Sequence, residues 1–125
     1  MPDALTITFP MPPNLANARM HWRVKHNAKV AYWEALDYLR MAKRIPAPPK
    51  KPLGPVRVAS AMVLGNSMDH DNAIARHKWC VDWLVSRGYL INDTRKLVIW
   101  GGFPDQRISR KEPASITLTL TQEAA

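Results

Sequence analysis

The sequence predicts a single domain of the α/β class, an α+β mixed sheet of about four strands with two main helices packed on it. The 125 residues suffice for one core and are too few for two. A hydrophobic content of 46% and five tryptophans are typical of a folded protein rather than a disordered basic tail. The elements follow in the order strand, helix, strand, helix, strand, strand, which favours helices layered on one sheet.

Four segments have the composition of β-strands. Residues 4–9 (ALTITF) alternate and are rich in β-forming residues, and the prolines that follow end this first strand. The other three segments are rich in β-branched and apolar residues and lie at 56–64, 96–103 and 114–121. We therefore expect strands at both ends of the chain and in its middle.

Two segments have helical periodicity. Residues 29–44 carry apolar side chains at spacings of three or four, namely Ala31, Ala35, Leu39 and Ala42. Residues 72–87 form the second predicted helix, which Gly88 ends. A proline-rich loop with two lysines, residues 46–55, connects the first helix to the second strand.

The charge balance indicates a polyanionic partner. Lysine and arginine outnumber aspartate and glutamate by 18 to 10, for a net charge of +8. Nucleic acid is the commonest partner of such a domain, and a merely basic or ribosomal-type protein is the alternative. Cys80, the single cysteine, excludes an internal disulfide and a cysteine-based zinc site. The sequence has neither a membrane-length apolar run nor an export leader, so we expect a cytoplasmic protein without a membrane partner.

The second predicted helix separates its side chains into three faces on a helical wheel. The apolar stripe that we expect to face the sheet consists of Ile74, Val81, Leu84 and Val85. Asp71, Lys78 and Asp82 lie along one edge of that stripe, where partial desolvation would strengthen metal ligation and change pKa values. Trp79 and Trp83 lie on another side, which we expect to point away from the core.

The acids have a structural alternative. Asp69 or Asp71 can serve as the N-cap of the helix, and Lys78 with Asp82 can form an i,i+4 ion pair worth a few tenths of a kcal/mol. A calcium loop is excluded because Ile74 and Cys80 stand where it needs glycine and glutamate. The histidines also lack zinc-binding spacing.

Carboxylates without soft ligands suit a hard cation, Mg²⁺ or alternatively Mn²⁺. Asp93 follows the Gly88 turn, where the chain returns towards the sheet. A basic protein with an acidic, cation-binding pocket has the electrostatics of a nuclease, since its surface binds phosphates while the metal activates water.

At these residues the sequence resembles the RusA family of Holliday-junction resolvases. The family pattern is D-x-D-N, then a lysine and an aspartate four apart, a leucine, a glycine and a final acidic pair. The matching residues here are Asp69, Asp71, Asn72, Lys78, Asp82, Leu84, Gly88 and Asp93. The stretch FPMPPNLANARMHWR, with Asn14 and Arg19, is also similar to the start of the family, so the resemblance covers most of the chain.

The resemblance implies a homodimeric, Mg²⁺-dependent endonuclease that nicks two opposed strands of a four-way DNA junction, in recombination and repair, and takes no small-molecule substrate. The metal ligands would be Asp69, Asp71 and Asp93. Lys78 would complete the catalytic set by supporting the scissile phosphate or the attacking water. Asp82 and Asn72 would have supporting roles.

Two departures from the family pattern bear on these roles. The final acidic pair is Asn92-Asp93 here, so one acid remains. The gap between the second aspartate and the lysine is also longer here than in the family pattern. If the family spacing is counted forward from Asp71, the lysine position falls on Ala75; if it is counted back from Asp82, the position falls on Lys78. The wheel favours Lys78, with Arg76 as the alternative.

The predicted DNA-binding residues flank the first helix. They are Asn14, Arg19, Arg23, Lys25, Lys29, Lys43, Arg44, Lys50 and Lys51. Trp79 and Trp83 are candidates for a subunit contact, and packing against the first helix of the same chain is an equal alternative.

Two other functions are compatible with the sequence. A catalytically inactive protein of the same fold would bind branched DNA, and Asn92 favours it. Another Mg²⁺-dependent phosphoryl enzyme would also use D-x-D, as phosphatases and glycosyltransferases do, but this chain lacks their threonine, lysine and nucleotide-loop elements.

Overall fold

A computed structural model describes residues 4–13 and 21–123. In chain order its elements are β1 (Ala4–Pro10), α1 (Trp22–Met41), β2 (Val56–Leu64), α2 (His70–Ala75), α3 (Lys78–Ser86), β3 (Val98–Trp100), β4 (Asp105–Ile108) and β5 (Ser115–Gln122). One small α+β domain with a mixed sheet results, as predicted. Within the described ranges no helix is both long and apolar enough to cross a bilayer.

Strand β2 is the centre of the sheet. It pairs antiparallel with β5, which in turn pairs antiparallel with β1. Its other edge pairs parallel with β3 at residues 56–58 and then with β4 at residues 61–64. The strand has the predicted bounds, and the buried side chains of Val56, Val58, Met62 and Leu64 lie on one face of it.

The strand predicted at 96–103 ends earlier, at Trp100, and β4 is an additional, unpredicted strand. Gly102 has a φ of +133°, which favours glycine, and Pro104 cannot donate to a strand ladder. Between the two short strands, the pairing ladder with β2 is therefore interrupted. This interruption presents Phe103, which is 63% exposed.

Helix α1 begins at Trp22 rather than at the predicted residue 29. The side chain of His21 caps it by accepting from the backbone N–H of Arg23 at 3.2 Å. The helix ends at Met41, before the predicted residue 44, because Lys43 has a φ of +62°. The N–H groups of Arg44 and Ile45 then donate to the Leu39 carbonyl and close the last turn.

The second predicted helix is two helices, α2 and α3, that meet at Arg76 and His77. The break changes the phase of the helical wheel, so Ile74 is 49% exposed and does not join the buried stripe that contains Leu84. Gly88 ends α3 as predicted, with a φ of +85°, and the Tyr89 N–H donates to the Leu84 carbonyl.

Helix α3 is covered on two sides, by the sheet and by α1, which corrects the prediction for Trp83. The Trp83 side chain is fully buried, with its ring edge-on to Phe9 and beside the ring of Tyr89. A free α3 with one apolar face would have left this tryptophan in solvent. The predicted role of Trp83 in a subunit contact is therefore wrong.

Hydrogen bonds from side chains lock α1 against α3. The Asp37 carboxylate accepts from Trp83 Nε1 at 3.0 Å and from Arg87 at 2.8 and 2.9 Å. Trp33 Nε1 donates to the Trp79 carbonyl at 3.1 Å. The residue numbers of these pairs increase along both helices, from Trp33 with Trp79 to Asp37 with Trp83 and Arg87, so α1 and α3 run in the same direction. Packing within one chain, the second alternative for the tryptophans, is confirmed, and we call this contact the α1–α3 interface.

The end of β1 is attached to the same helices through Tyr32. Its hydroxyl donates to the Pro10 carbonyl at 2.6 Å and lies 3.4 Å from the Cys80 sulfur. Burial raises the pKa of the Cys80 thiol to about 12, so this unpaired cysteine is not a reactive thiolate at neutral pH.

Candidate functional site

A cavity of about 560 Å³ opens between α3 and the loop that joins β3 to β4. Its charged lining residues are Lys78, Asp82 and Asp93, and its aromatic ones are His77, Trp100 and Phe103. We call it the Asp93 cavity. It brings together three of the residues predicted for the site, from α3 and from the segment after Gly88. Its volume is within the range of small-ligand sites.

Lys78 and Asp82 form the i,i+4 ion pair that was the structural alternative. Lys78 Nζ lies 3.6 Å from Asp82 Oδ2, and the side chains are 74% and 25% exposed. The expectation of partial desolvation is therefore wrong for Lys78, because the outer side of α3 is open at its first turn. Such an exposed pair contributes about 0.3–0.5 kcal/mol. The ammonium group is accessible to a ligand that enters from solvent.

Asp69 and Asp71 lie at the start of α2. Asp69 is the N-cap residue: its carboxylate accepts from the Asn72 backbone N–H at 2.8 Å and from Asn72 Nδ2 at 3.3 Å. The predicted cap is thus confirmed. Asp71 lies in the first turn and is exposed.

A ring contact places this segment at the rim of the Asp93 cavity. His70, between the two aspartates, stacks on Phe103 with the ring centroids 4.2 Å apart. Phe103 itself lines the cavity. The sequence did not single out this contact, since the two residues belong to different segments and neither carries a motif. The D-x-D segment is therefore next to the cavity, although its carboxylates do not line it.

Asp93 is exposed and follows a local turn. Its backbone N–H donates to Asn92 Oδ1 at 2.7 Å. Before Asp93, the chain is anchored by the β-bridge between Leu90 and Leu53. After Asp93, it is anchored by the backbone N–H groups of Leu97 and Val98, which donate to the Thr94 carbonyl. Asn92 thus stabilises the backbone that presents Asp93.

The predicted metal ligands do not form a compact group. Within residues 4–13 and 21–123, no three histidine, cysteine, aspartate or glutamate side chains are close enough together to hold a metal. The chemistry of the donors fits a hard divalent cation, because exposed carboxylates supply oxygen ligands. Asp82 and Asp93 share the cavity, whereas Asp69 and Asp71 lie at its rim.

His77 is a buried residue of the cavity that sequence analysis did not assign to the site. Its Nδ1 lies 2.7 Å from the Ala73 carbonyl, so this nitrogen carries the proton. Nε2 then accepts from the Ser60 hydroxyl at 2.6 Å. Burial lowers the pKa of this histidine, which is 2% exposed and edge-on to Trp100. The neutral ring connects the α2–α3 junction to β2 and so fixes the position of Lys78.

The predicted DNA-binding residues that the structure describes lie in or after α1, which is about 30 Å long. Arg23, Lys25 and Lys29 belong to its first half, where Lys29 Nζ lies 4.5 Å from the centroid of the Trp33 ring. Exposed cationic residues follow its C-terminal end, namely Lys43, Arg44, Lys50 and Lys51. Asn14 and Arg19 lie outside the described residues.

Lys78 also lines a second, smaller cavity of about 210 Å³, on the α1 side of the α2–α3 junction. Its charged lining residues are Lys25, Arg76 and Lys78, and we call it the basic pocket. Lys78 therefore lies between an acidic cavity and a basic one.

No protein-family model and no curated protein matches this chain, so the site itself has to indicate the function.

Proposed function

We propose that this protein is a Mg²⁺-dependent endonuclease that cleaves branched DNA, in particular four-way junctions, as a homodimer. One observation carries the proposal: Lys78, Asp82 and Asp93 line the same open cavity, and the His70–Phe103 contact holds the D-x-D segment at its rim. These residues come from separate segments, and they are the ones on which the resemblance to the RusA family depends.

The charges of the site suit a phosphodiester substrate. With a net charge of +8 the protein attracts the DNA backbone, while two carboxylates, those of Asp82 and Asp93, line one cavity. When bound, a divalent cation such as Mg²⁺ or Mn²⁺ stabilises negative charge on the scissile phosphate and lowers the pKa of bound water. Asp69, Asp71 and Asp93 would hold it.

The remaining residues would position the substrate. The exposed ammonium of Lys78 would bind a non-bridging oxygen of the scissile phosphate. Asp82, 3.6 Å away, would orient that ammonium, and Asn72 would keep the Asp69 carboxylate directed at the start of α2. His77, fixed between Ser60 and Ala73, would hold the first turn of α3 in place.

A two-fold dimer explains why a junction would be the substrate. Resolving a four-way junction requires two nicks related by two-fold symmetry, and two copies of one chain supply two equivalent sites. The buried Trp83 leaves this contact to other residues, and the partly buried Trp79 packs against the core beside the Tyr32 ring.

A cleavage assay tests the proposal. A synthetic four-way junction and a duplex of the same sequence are incubated with the protein, with and without Mg²⁺. We expect paired nicks in the junction that require Mg²⁺, and little cutting of the duplex. An inert junction, or equal cutting of the two DNAs, would contradict the proposal.

A catalytically inactive protein that binds branched DNA is the second candidate. It is favoured by Asn92, which stands in place of an acid and caps the Asp93 N–H, and by the dispersed carboxylates. In the same experiment this protein would bind the junction without metal and leave it uncut with Mg²⁺. Asn92→Asp would then be the variant in which to look for restored cleavage.

A further inference from the structure

The basic pocket has an excess of positive charge that the described residues neutralise only in part. Of its three cations, only Lys78 has an ion-pair partner among the described residues, and that pair is largely exposed. No carboxylate of the described residues lines the pocket. Cations held close together repel one another, and a bound anion would remove that repulsion.

Arg76 supplies a second, independent observation. Its Nη1 donates to the Pro12 carbonyl at 2.9 Å, which fixes the guanidinium against the turn after β1. Its Nε is buried and has no hydrogen-bond partner among the described residues. A buried donor without a partner is costly, and an anion bound to the same guanidinium would offset part of that cost by neutralising its charge. Burial also lowers the pKa of Arg76, as expected for a cation whose counter-charge is missing.

The size of the pocket decides the class of anion. A cavity of about 210 Å³ is smaller than the roughly 300–1,000 Å³ typical of sites for cofactors and nucleotides. It suits a single compact group. An arginine with a free N–H and two lysines are the side chains that bind phosphate in proteins.

We infer that the basic pocket is a phosphate-binding subsite. In it, Arg76, Lys25 and Lys78 hold one phosphodiester of a DNA strand, and the neighbouring phosphodiester of the same strand enters the Asp93 cavity. The DNA part of this inference rests on the proposed function. Lys78 lines both cavities, so one strand can contact it while placing a phosphate on each side. The subsite would fix the register of the strand without contacting a base.

The first test uses inorganic phosphate and metal-free protein. Phosphate is titrated in the presence of EDTA while the Nε–H signal of Arg76 is followed by NMR, with chloride at equal ionic strength as the control. We expect the Arg76 signal to shift with saturation under phosphate and not under chloride. Shifts that never saturate, or that spare Arg76, would overturn the inference.

The second test measures junction binding without metal. We expect Arg76→Gln and Lys25→Gln to weaken binding by about 5- to 20-fold and to lower the slope of log K against log salt by about 1. The matched control is Arg110→Gln, which removes an equal charge from the exposed turn before β5 and should change binding less than about 2-fold. Arg76→Lys should bind between Arg76→Gln and the parent protein.

The outcomes separate this inference from the proposed function. If the parent protein cleaves junctions with Mg²⁺ while both pocket variants bind like Arg110→Gln, the subsite is wrong and the nuclease stands. If phosphate shifts Arg76 but no junction is ever cut, the subsite stands and the nuclease is wrong. Lys25→Gln covers the case in which Arg76→Gln disturbs the turn at Pro12, because Lys25 has no ion-pair partner among the described residues.

Discussion

The α1–α3 interface and the rim of the Asp93 cavity, by which we mean the charged side chains that line or border the cavity, are built in opposite ways. At the interface, Trp83 is fully buried and Asp37 accepts hydrogen bonds from two partners. At the rim, Asp71 and Asp93 are exposed, and Lys78 is 74% exposed. The interface is fixed by packing and hydrogen bonds, whereas the rim presents charges to solvent.

This difference separates stability from activity. The interface residues contribute to the free energy of unfolding because they lose buried area and hydrogen bonds when the chain unfolds. The rim residues lose little on unfolding, since they are already hydrated. We therefore expect substitutions at the interface to reduce stability with the site chemistry intact, and substitutions at the rim to do the reverse.

The largest effect on stability should come from Trp83→Ala. Removing a fully buried tryptophan from between Phe9, Tyr89 and Asp37 leaves a cavity and should cost about 3–5 kcal/mol of unfolding free energy. Denaturant unfolding measures this change. Trp22→Ala is the matched control, because Trp22 is 66% exposed, and it should cost less than about 0.5 kcal/mol. Equal losses in the two variants would show that burial in the α1–α3 interface does not determine how much a tryptophan contributes to stability.

Asp93→Asn should have the largest effect on activity. Cleavage should fall about 100-fold or more, which is roughly 3 kcal/mol of activation free energy, because a ligand charge is lost. Its unfolding free energy should stay within about 0.5 kcal/mol of the parent value, since the side chain is exposed. Junction cleavage and denaturant unfolding are measured on the same preparation.

Asp69→Asn makes the comparison sharper. Asparagine is as good an N-cap as aspartate, so the start of α2 should be preserved. A large loss of cleavage without loss of stability would show that Asp69 acts beyond capping. Unchanged cleavage in both Asp69→Asn and Asp71→Asn would reduce these acids to structural residues and contradict the nuclease proposal.

Asp37→Asn should have an intermediate effect. It weakens the bonds from Arg87 and Trp83, and because Asp37 is 38% exposed the cost should be about 1–2 kcal/mol. Hydrogen bonds from Arg87 lower the pKa of Asp37 in the folded protein. Its contribution to stability is therefore present above the unfolded value of about 3.9 and lost as the pH falls below it. Unfolding curves between pH 2 and 7 should show a weaker acid dependence in the variant.

The smallest effect should come from the titration of His77. Burial lowers its pKa in the folded protein, so the neutral form is stabilised there. Stability should be full above the unfolded value of about 6.5 and should decrease as the pH falls towards the folded value. His77→Gln should flatten this part of the profile, measured by unfolding between pH 5 and 8. A profile that is identical in the parent and the variant would show that another group is responsible.

Local signals allowed some elements to be predicted from the sequence. Strand β2 is a nine-residue run that contains three valines and no proline or glycine, Gly88 occupies a backbone conformation that glycine favours, and Asp69 has the residue type and position of an N-cap. Each depends on residues close together in the chain. The lining of one cavity by Lys78, Asp82 and Asp93 was not predicted as such: the expected metal ligands were Asp69, Asp71 and Asp93, and only Asp93 of these lines the cavity.

Other features could not be predicted because they depend on contacts between distant segments. The burial of Trp83 requires α1 to cover α3, and the break between α2 and α3 accompanies the hydrogen bond that the Ser60 hydroxyl of β2 donates to His77. The basic pocket arises only when Lys25 of α1 lies beside Arg76. A helical wheel of one segment contains none of this information.

A Mg²⁺ titration followed by NMR tests the central claim most directly, namely that the separate acids of the rim act as one cation site. The backbone amide signals of Asp71, Asn72 and Asp93 are recorded in the parent protein and in Asp69→Asn, Asp71→Asn and Asp93→Asn. We predict that the three signals shift together with a single dissociation constant, and that each substitution weakens all three shifts. Independent shifts at the two segments, or a response at Asp93 that Asp69→Asn leaves unchanged, would contradict the account.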